Sequence, residues 1–191
     1  SDQYAKELTH DALYYVYRLL FLLYLEAQGD DSELLPLKSE IYRNGYSLEK
    51  LLELDFFEIA PDSAESRGTF LFESLDQIFN LIFFGFEPGA KEGIFKRDYA
   101  LSGFLVKGIK SDLFDPAMIK HLKGVKLRNG ILLEILKKLS LNRKKEKGGK
   151  TRARVSYANL GINQLGAVYE GLLSYTGFFA QEDLHALKPE S

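Results

Sequence analysis

From its first residues the chain sets apolar and polar positions at helical spacing. Leu8, Ala12, Tyr15, Leu19, Leu23 and Ala27 follow one another at steps of three and four. That period puts them on one face of an α-helix. Leu20, Phe21 and Leu25 widen the stripe, so burial on more than one side is expected. The pattern predicts one helix from Asp2 to Gln28, about 40 Å long at ~1.5 Å per residue. Gly29 suits the position just past its end, and "DDSELLP" reads as a loop.

The same period recurs further along. "YSLEKLLEL", Tyr46 to Leu54, predicts a short helix with Ser47 as its N-cap. "APDSAESRG" reads as a loop. "TFLFESLDQIFNLIFFGF" predicts a second strong helix, with Leu71, Leu75, Ile78 and Ile82 in one row and Gly85 and Pro88 at its end. From Glu87 to Pro116 glycines break every period; a turn at Asp115-Pro116 then leads into a short helix. "NGILLEILKKLS" is a helix that turns Leu132, Ile135, Leu136 and Leu139 inward. "RVSY" reads as a short strand or extended arm. The last helix is expected over Ser156 to Phe179, with Ile162, Leu165, Val168, Tyr169, Leu172 and Leu173 as its stripe. The sum is an all-α bundle of about six helices with room for one short hairpin, and residues 1–191 read as a single helical domain. The chain starts without Met and stops at "LHALKPES", which reads as a piece of a longer protein.

Gly166 and Gly171 stand inside the last helix, where glycine costs roughly 1 kcal/mol relative to alanine. Close approach of another helix backbone would offset that cost. The expectation is that "LGAVYEGLL" packs tightly on the first helix at Gly166, with Tyr169 and Glu170 as buried hydrogen-bonding partners that fix the register. A leucine at Gly166 would then overpack the contact.

Composition narrows the function. The chain is 46% hydrophobic and 27% charged, ordinary for a globular protein, and its net charge is -2. It has no cysteine, so disulfides and thiolate metal sites are excluded and a cytoplasmic setting fits. Its most apolar run, Ala12 to Leu25, is too short to cross a bilayer and holds Arg18. The near-neutral total hides an asymmetry: Arg143, Lys144, Lys145, Lys147, Lys150, Arg152 and Arg154 crowd one segment with Glu146, a local charge of +6. The remainder is left with 18 basic against 26 acidic residues. Such a segment can contact DNA phosphates without reading sequence.

Chemistry of other kinds is thinly represented. "GGKT", Gly148 to Thr151, lacks a P-loop's first glycine, whose place Lys144 holds, and no apolar strand precedes it. His10, His121 and His185 are isolated, with no metal-ligand spacing among them, so no metal site is expected. Catalytic and cofactor-binding residues are expected to be absent. Glu26 and Glu170, set among apolar neighbours, read as buried hydrogen-bonding or salt-bridge partners. Arg18, similarly enclosed, needs a carboxylate or carbonyl partner.

Four segments occur in a familiar order: "YRLLFLLYLEAQG" (Tyr17–Gly29), "GYSLEKL" (Gly45–Leu51), "LFDP" (Leu113–Pro116) and "RVSYANLGINQLGAVYEGLLSY" (Arg154–Tyr175). This order resembles the helical region upstream of the methyltransferase domain in Eco57I-like and type IIG restriction-modification proteins and related phage-defence adenine methylases. The resemblance implies a helical connector beside an S-adenosylmethionine-dependent DNA adenine methyltransferase domain, with or without a nuclease. That cofactor belongs to the parent protein. Neither its glycine-containing loop nor an Asn-Pro-Pro-Tyr tetrapeptide stands in this sequence, so no catalytic residue carries over. Expected partners are the adjacent methyltransferase domain and double-stranded DNA, with no membrane. The alternative is a protein-interaction module that binds another subunit of a defence system. A small independent enzyme would require a deep polar cleft lined by Glu26 or Glu170.

Overall fold

The computed structural model describes residues 2–29, 34–53, 59–87, 105–141 and 155–183. Among them the chain is all-α: α1 (Asp2–Ala27), α2 (Glu40–Gly45), α3 (Leu48–Glu53), α4 (Ala64–Arg67), α5 (Phe70–Phe84), a 3-10 turn (Pro116–Met118), α6 (Asn129–Ser140) and α7 (Ile162–Leu173).

The helix α1 is the spine, and its 26 residues pack against α3, α6 and α7. Its buried residues include Tyr14, Tyr15, Leu19, Leu22, Leu23 and Leu25, an arc too wide for a single partner. Gly29 follows it with φ +62°, the left-handed conformation that ends helices and suits glycine. Ala12, expected in the stripe, is exposed, because burial is centred on Tyr14 and Arg18. On α5 the predicted row Leu71, Leu75, Ile78 and Ile82 is fully buried. On α6 the core takes Leu132, Leu133 and Leu136, while Ile135 and Leu139 are half-buried. These residues join one apolar core with Tyr42, Leu48 and Phe114. A smaller cluster of Tyr17, Leu20 and Leu165 lies between α1 and α7.

Four local expectations are corrected. The helices α2 and α4 were not expected; Ser39 and Ser63 cap them, accepting N–H bonds from Tyr42 and Ser66 respectively. The short helix after Pro116 is only the 3-10 turn, capped by the Asp115 carboxylate at 2.8 Å from Ala117 N. Beyond it the Asp11 carboxylate takes the N–H groups of His121 and Leu122, which helical carbonyls would otherwise receive. The hairpin amounts to an isolated antiparallel bridge, Phe86–Val106, with both N–H···O distances 2.9 Å. The last helix is confined to 162–173, because the arm before it is tied elsewhere. Val155 N–H donates to Ser140 O at 2.8 Å, and Tyr157 Oη donates to Leu139 O at 2.6 Å.

The expected contact at Gly166 is also corrected. A Cβ there would meet nothing within 4 Å, and Gly166 is exposed. Glu170 is exposed too, not a buried partner. The helix α7 rests on α1 through one narrow face, Leu165, Tyr169 and Leu172, so most of its circumference faces outward. Gly166→Ala should therefore stabilise the protein by about 0.5–1 kcal/mol, because only the helix-propensity term remains. A lowered thermal midpoint would restore the close-packing account.

Close approach to α1 is allowed instead by Gly177, past the end of α7. A Cβ there would strike the Thr9 hydroxyl of α1. Residues 174–183 thus cross the N-terminal half of α1, and Phe179 stacks on Tyr4 at 6.2 Å between ring centroids.

Candidate functional site

Two polar side chains singled out in the sequence, Arg18 and Glu26, act as joints on α1. Arg18 is buried in the middle of the spine. Its Nε donates to Leu113 O at 2.5 Å and its Nη2 to Asp115 O at 2.7 Å. The partners are carbonyls of the "LFDP" segment rather than a carboxylate. Tyr14 and Phe79 flank the guanidinium, each ring centroid 5.8 Å away. Burial pushes the Arg18 pKa down, while the nearby Asp76 and Asp115 carboxylates oppose that shift. Between those two carbonyls Phe114 enters the core, and Asp115 caps the 3-10 turn. One arginine therefore fastens this loop to the spine.

Two turns further on, Glu26 holds the start of α3. Its Oε1 accepts from Leu48 N at 2.7 Å and from Tyr42 Oη at 3.1 Å; its Oε2 accepts from Glu49 N at 2.9 Å. Ser47 Oγ accepts from Lys50 N at 3.1 Å, which confirms Ser47 as the N-cap. Together the two side chains satisfy the first three N–H groups of α3, which have no intrahelical acceptor. Burial pushes the Glu26 carboxyl up to about 7, against the pull of its three donors. The Tyr42 hydroxyl is raised as well, by burial and by the adjacent carboxylate.

This joint makes stability depend on pH. The folded-state value of about 7 lies above the 4.5 of an unperturbed glutamate, so folding takes up a proton between them. The stabilisation present below pH 4.5 is lost as the pH rises through 7, and no more is lost above. The expected loss is on the order of 2 kcal/mol, discounted for the half-buried stem. Comparing urea midpoints of wild type and Glu26→Gln from pH 4 to 9 isolates it. A difference that stays constant with pH would refute the assignment.

Tyr17 and Tyr169 make the third joint. Tyr17 Oη donates to Leu165 O at 3.4 Å, and its ring lies 4.7 Å from that of Tyr169. Tyr169 is thus half-buried and meets α1 through ring contacts with Tyr14 and Tyr17, rather than as the buried hydrogen-bonding partner expected. Burial, with Tyr169 next, raises the Tyr14 hydroxyl to about 12.

Two further joints have little sequence signal. Asp11 is buried, and the imidazole of His121 lies between it and Glu7: Nε2 is 3.1 Å from Glu7 Oε2, and Nδ1 is 3.5 Å from Asp11 Oδ2. Asn129 is fully buried, accepting from Leu71 N at 3.0 Å and donating to Glu65 O at 2.7 Å. Its two amide ends bind α5 and α4 to the start of α6. The adjacent Gly130 leaves space that a side chain would take from Ser66 Oγ. The partners of Asn129 lie about sixty residues upstream.

An open polar cleft of about 570 Å³ borders the Glu26 joint, lined in part by Glu40, Arg43, Asn44, Glu49 and Lys50. Both Glu26 oxygens already accept hydrogen bonds, from Leu48 N, Glu49 N and Tyr42 Oη. Among the described residues no group of three or more His, Asp or Glu side chains could hold a metal ion. Among them, too, no helix is long and apolar enough to cross a membrane. Arg143, Lys144, Lys145, Lys147, Lys150, Arg152 and Arg154 lie outside the described residues, as does the "GGKT" sequence. Comparison with protein-family models, curated proteins and solved structures finds no match for the chain.

Proposed function

We propose that this chain is a helical connector domain of a cytoplasmic bacterial DNA N6-adenine methyltransferase or restriction-modification protein. It would position the catalytic domain, and the parent protein would supply S-adenosylmethionine binding and methyl transfer. One observation carries the reading: the four segments that bear the resemblance meet on one helix. "YRLLFLLYLEAQG" supplies Tyr17, Arg18 and Glu26, and each of the other three segments supplies a group that one of them binds. Motifs that depend on one another in this way favour reading the resemblance as one of fold. They hold a scaffold together and contribute no reacting group.

The +6 segment from Arg143 to Arg154 would add contacts to DNA phosphates. Fluorescence anisotropy on two unrelated duplexes, at low and moderate salt, tests this part. The expected binding is weak, indifferent to sequence, and abolished when the seven basic residues are changed to Gln. Absence of binding at low salt would remove DNA contact from the proposal. The methyltransferase context is tested by the complete reading frame: a cofactor loop and an Asn-Pro-Pro-Tyr-type motif are expected downstream. A frame without them would overturn the reading.

A further inference from the structure

We infer that Asn44 is a site of spontaneous conversion to aspartate and isoaspartate, set where α2 leads into the Glu26 joint. The tripeptide Arg-Asn-Gly occurs twice in the chain, at 43–45 and at 128–130. Glycine after asparagine leaves the attacking nitrogen unhindered and the backbone free to turn. In the reaction the Gly45 main-chain nitrogen forms a C–N bond to Asn44 Cγ. The side-chain Nδ2 leaves as ammonia and carries away the proton that the attacking nitrogen gives up. Water then opens the five-membered imide at either carbonyl. One opening gives aspartate; the other gives isoaspartate, whose main chain runs through Cγ. Water is the sole co-reactant, and nothing is oxidised or reduced.

The two copies share their tripeptide, so the fold decides between them. At 128–130 it opposes the reaction. Asn129 is fully buried, its Oδ1 accepts from Leu71 N at 3.0 Å, and its Nδ2 donates to Glu65 O at 2.7 Å. The leaving nitrogen is thus held, and Ser66 Oγ fills the space beside Gly130. At 43–45 each restraint is lifted. Asn44 and Gly45 are exposed, and the Asn44 amide makes no hydrogen bond among the described residues. A Cβ on Gly45 would meet nothing within 4 Å, which leaves room for the ring. Asn44 also lines the open polar cleft, where water is at hand. What remains is helical geometry, since Asn44 and Gly45 are the last residues of α2. A helix of six residues has little stability of its own and frays from its end. Reaction at Asn44 therefore requires one terminal turn to open, whereas at Asn129 it requires the joint between α4, α5 and α6 to break.

The products act on the joint beside them. Glu26, Glu40 and Glu49 already line this cleft against Arg43 and Lys50, so a carboxylate at position 44 adds repulsion. Isoaspartate also lengthens the main chain between Tyr42 O and its two donors, Tyr46 N at 2.8 Å and Ser47 N at 3.0 Å. Those bonds set Ser47 at the start of α3 and hold Tyr42, whose hydroxyl binds Glu26.

The test is incubation of the full chain in mildly alkaline buffer, followed by peptide mapping with mass spectrometry after digestion at acidic pH. Aspartate and isoaspartate should accumulate at Asn44 about tenfold faster, or more, than at Asn129. In denaturing urea the two rates should converge. Gly45→Ala, which the open space tolerates, should slow conversion at Asn44 and leave Asn129 unchanged. Equal rates in the folded protein, or no conversion at Asn44 while both sites convert in urea, would overturn the inference. Hydrogen exchange at residues 48–50 should be faster in the converted protein; unchanged exchange would overturn the coupling to the Glu26 joint.

Discussion

Arg18→Ala is expected to lower the stability of the folded chain by about 3 kcal/mol or more. The estimate combines two carbonyl oxygens left without a donor, at about 1–2 kcal/mol each, with lost packing against Tyr14 and Phe79. Burying the guanidinium costs free energy in its own right, which moderates the loss without reversing it. Arg18→Lys should recover only part of it, because an ammonium is a point donor and cannot reproduce the planar fork that reaches both Leu113 O and Asp115 O. Urea denaturation gives the global value. Hydrogen exchange gives the local one, with faster exchange expected first at residues 113–119. A midpoint unchanged from wild type would mean that the "LFDP" loop is held by Phe114 alone.

Gly85→Ala should cost about 3 kcal/mol. At this position the end of α5 crosses the returning chain so closely that a methyl would stand 2.5 Å from Gly108 N and 2.7 Å from Val106 O. Both atoms belong to the backbone and cannot rotate away. Gly85 also has φ +79°, which costs an alanine about 1 kcal/mol in addition to overpacking of about 1–3 kcal/mol. Gly108→Ala offers a control free of the φ contribution, since its Cβ would meet Phe84 C at 2.6 Å without a left-handed backbone. Both variants should break the Phe86–Val106 bridge. A thermal midpoint within two degrees of wild type in either case would show that this crossing can open at little cost.

How far these features could be read from the sequence depended on their range. α1, α5 and α6 were legible because a period of 3.6 over a dozen residues needs no knowledge of partners. Ser47 as an N-cap and Gly29 past the end of α1 were legible for the same reason: each acts on its own neighbours. Arg18 and Glu26 stood out as polar residues in apolar runs, so their burial could be expected. Their partners could not, being main-chain groups 95 and 22 residues away. α7 misled because its stripe has the right period but the fold covers only part of it, leaving Ile162 and Val168 exposed. Periodicity reports that a face is apolar; it does not report how much of that face finds a neighbour. α2 and α4, at six and four residues, are too short to show a period, and they depend on their serine caps. The Asp11–His121 and Asn129 joints gave no signal because each involves residues that look unremarkable until the fold brings them together.

The convergence of joints on α1 has a consequence for how the chain is made. α1 leaves the ribosome before the elements it binds: its Tyr17 contact lies 148 residues downstream, the Asp11 contact 110 and the Arg18 contact 95. At a synthesis rate of ~5–20 residues per second, the last of these partners emerges roughly 7–30 s after the helix it covers. During that interval the most apolar segment of the protein is in water, with a buried-type arginine and a buried-type aspartate at its centre. Nascent chains of this protein should therefore be clients of ribosome-associated chaperones, and truncation before residue 165 should yield insoluble product even though α1 itself is complete.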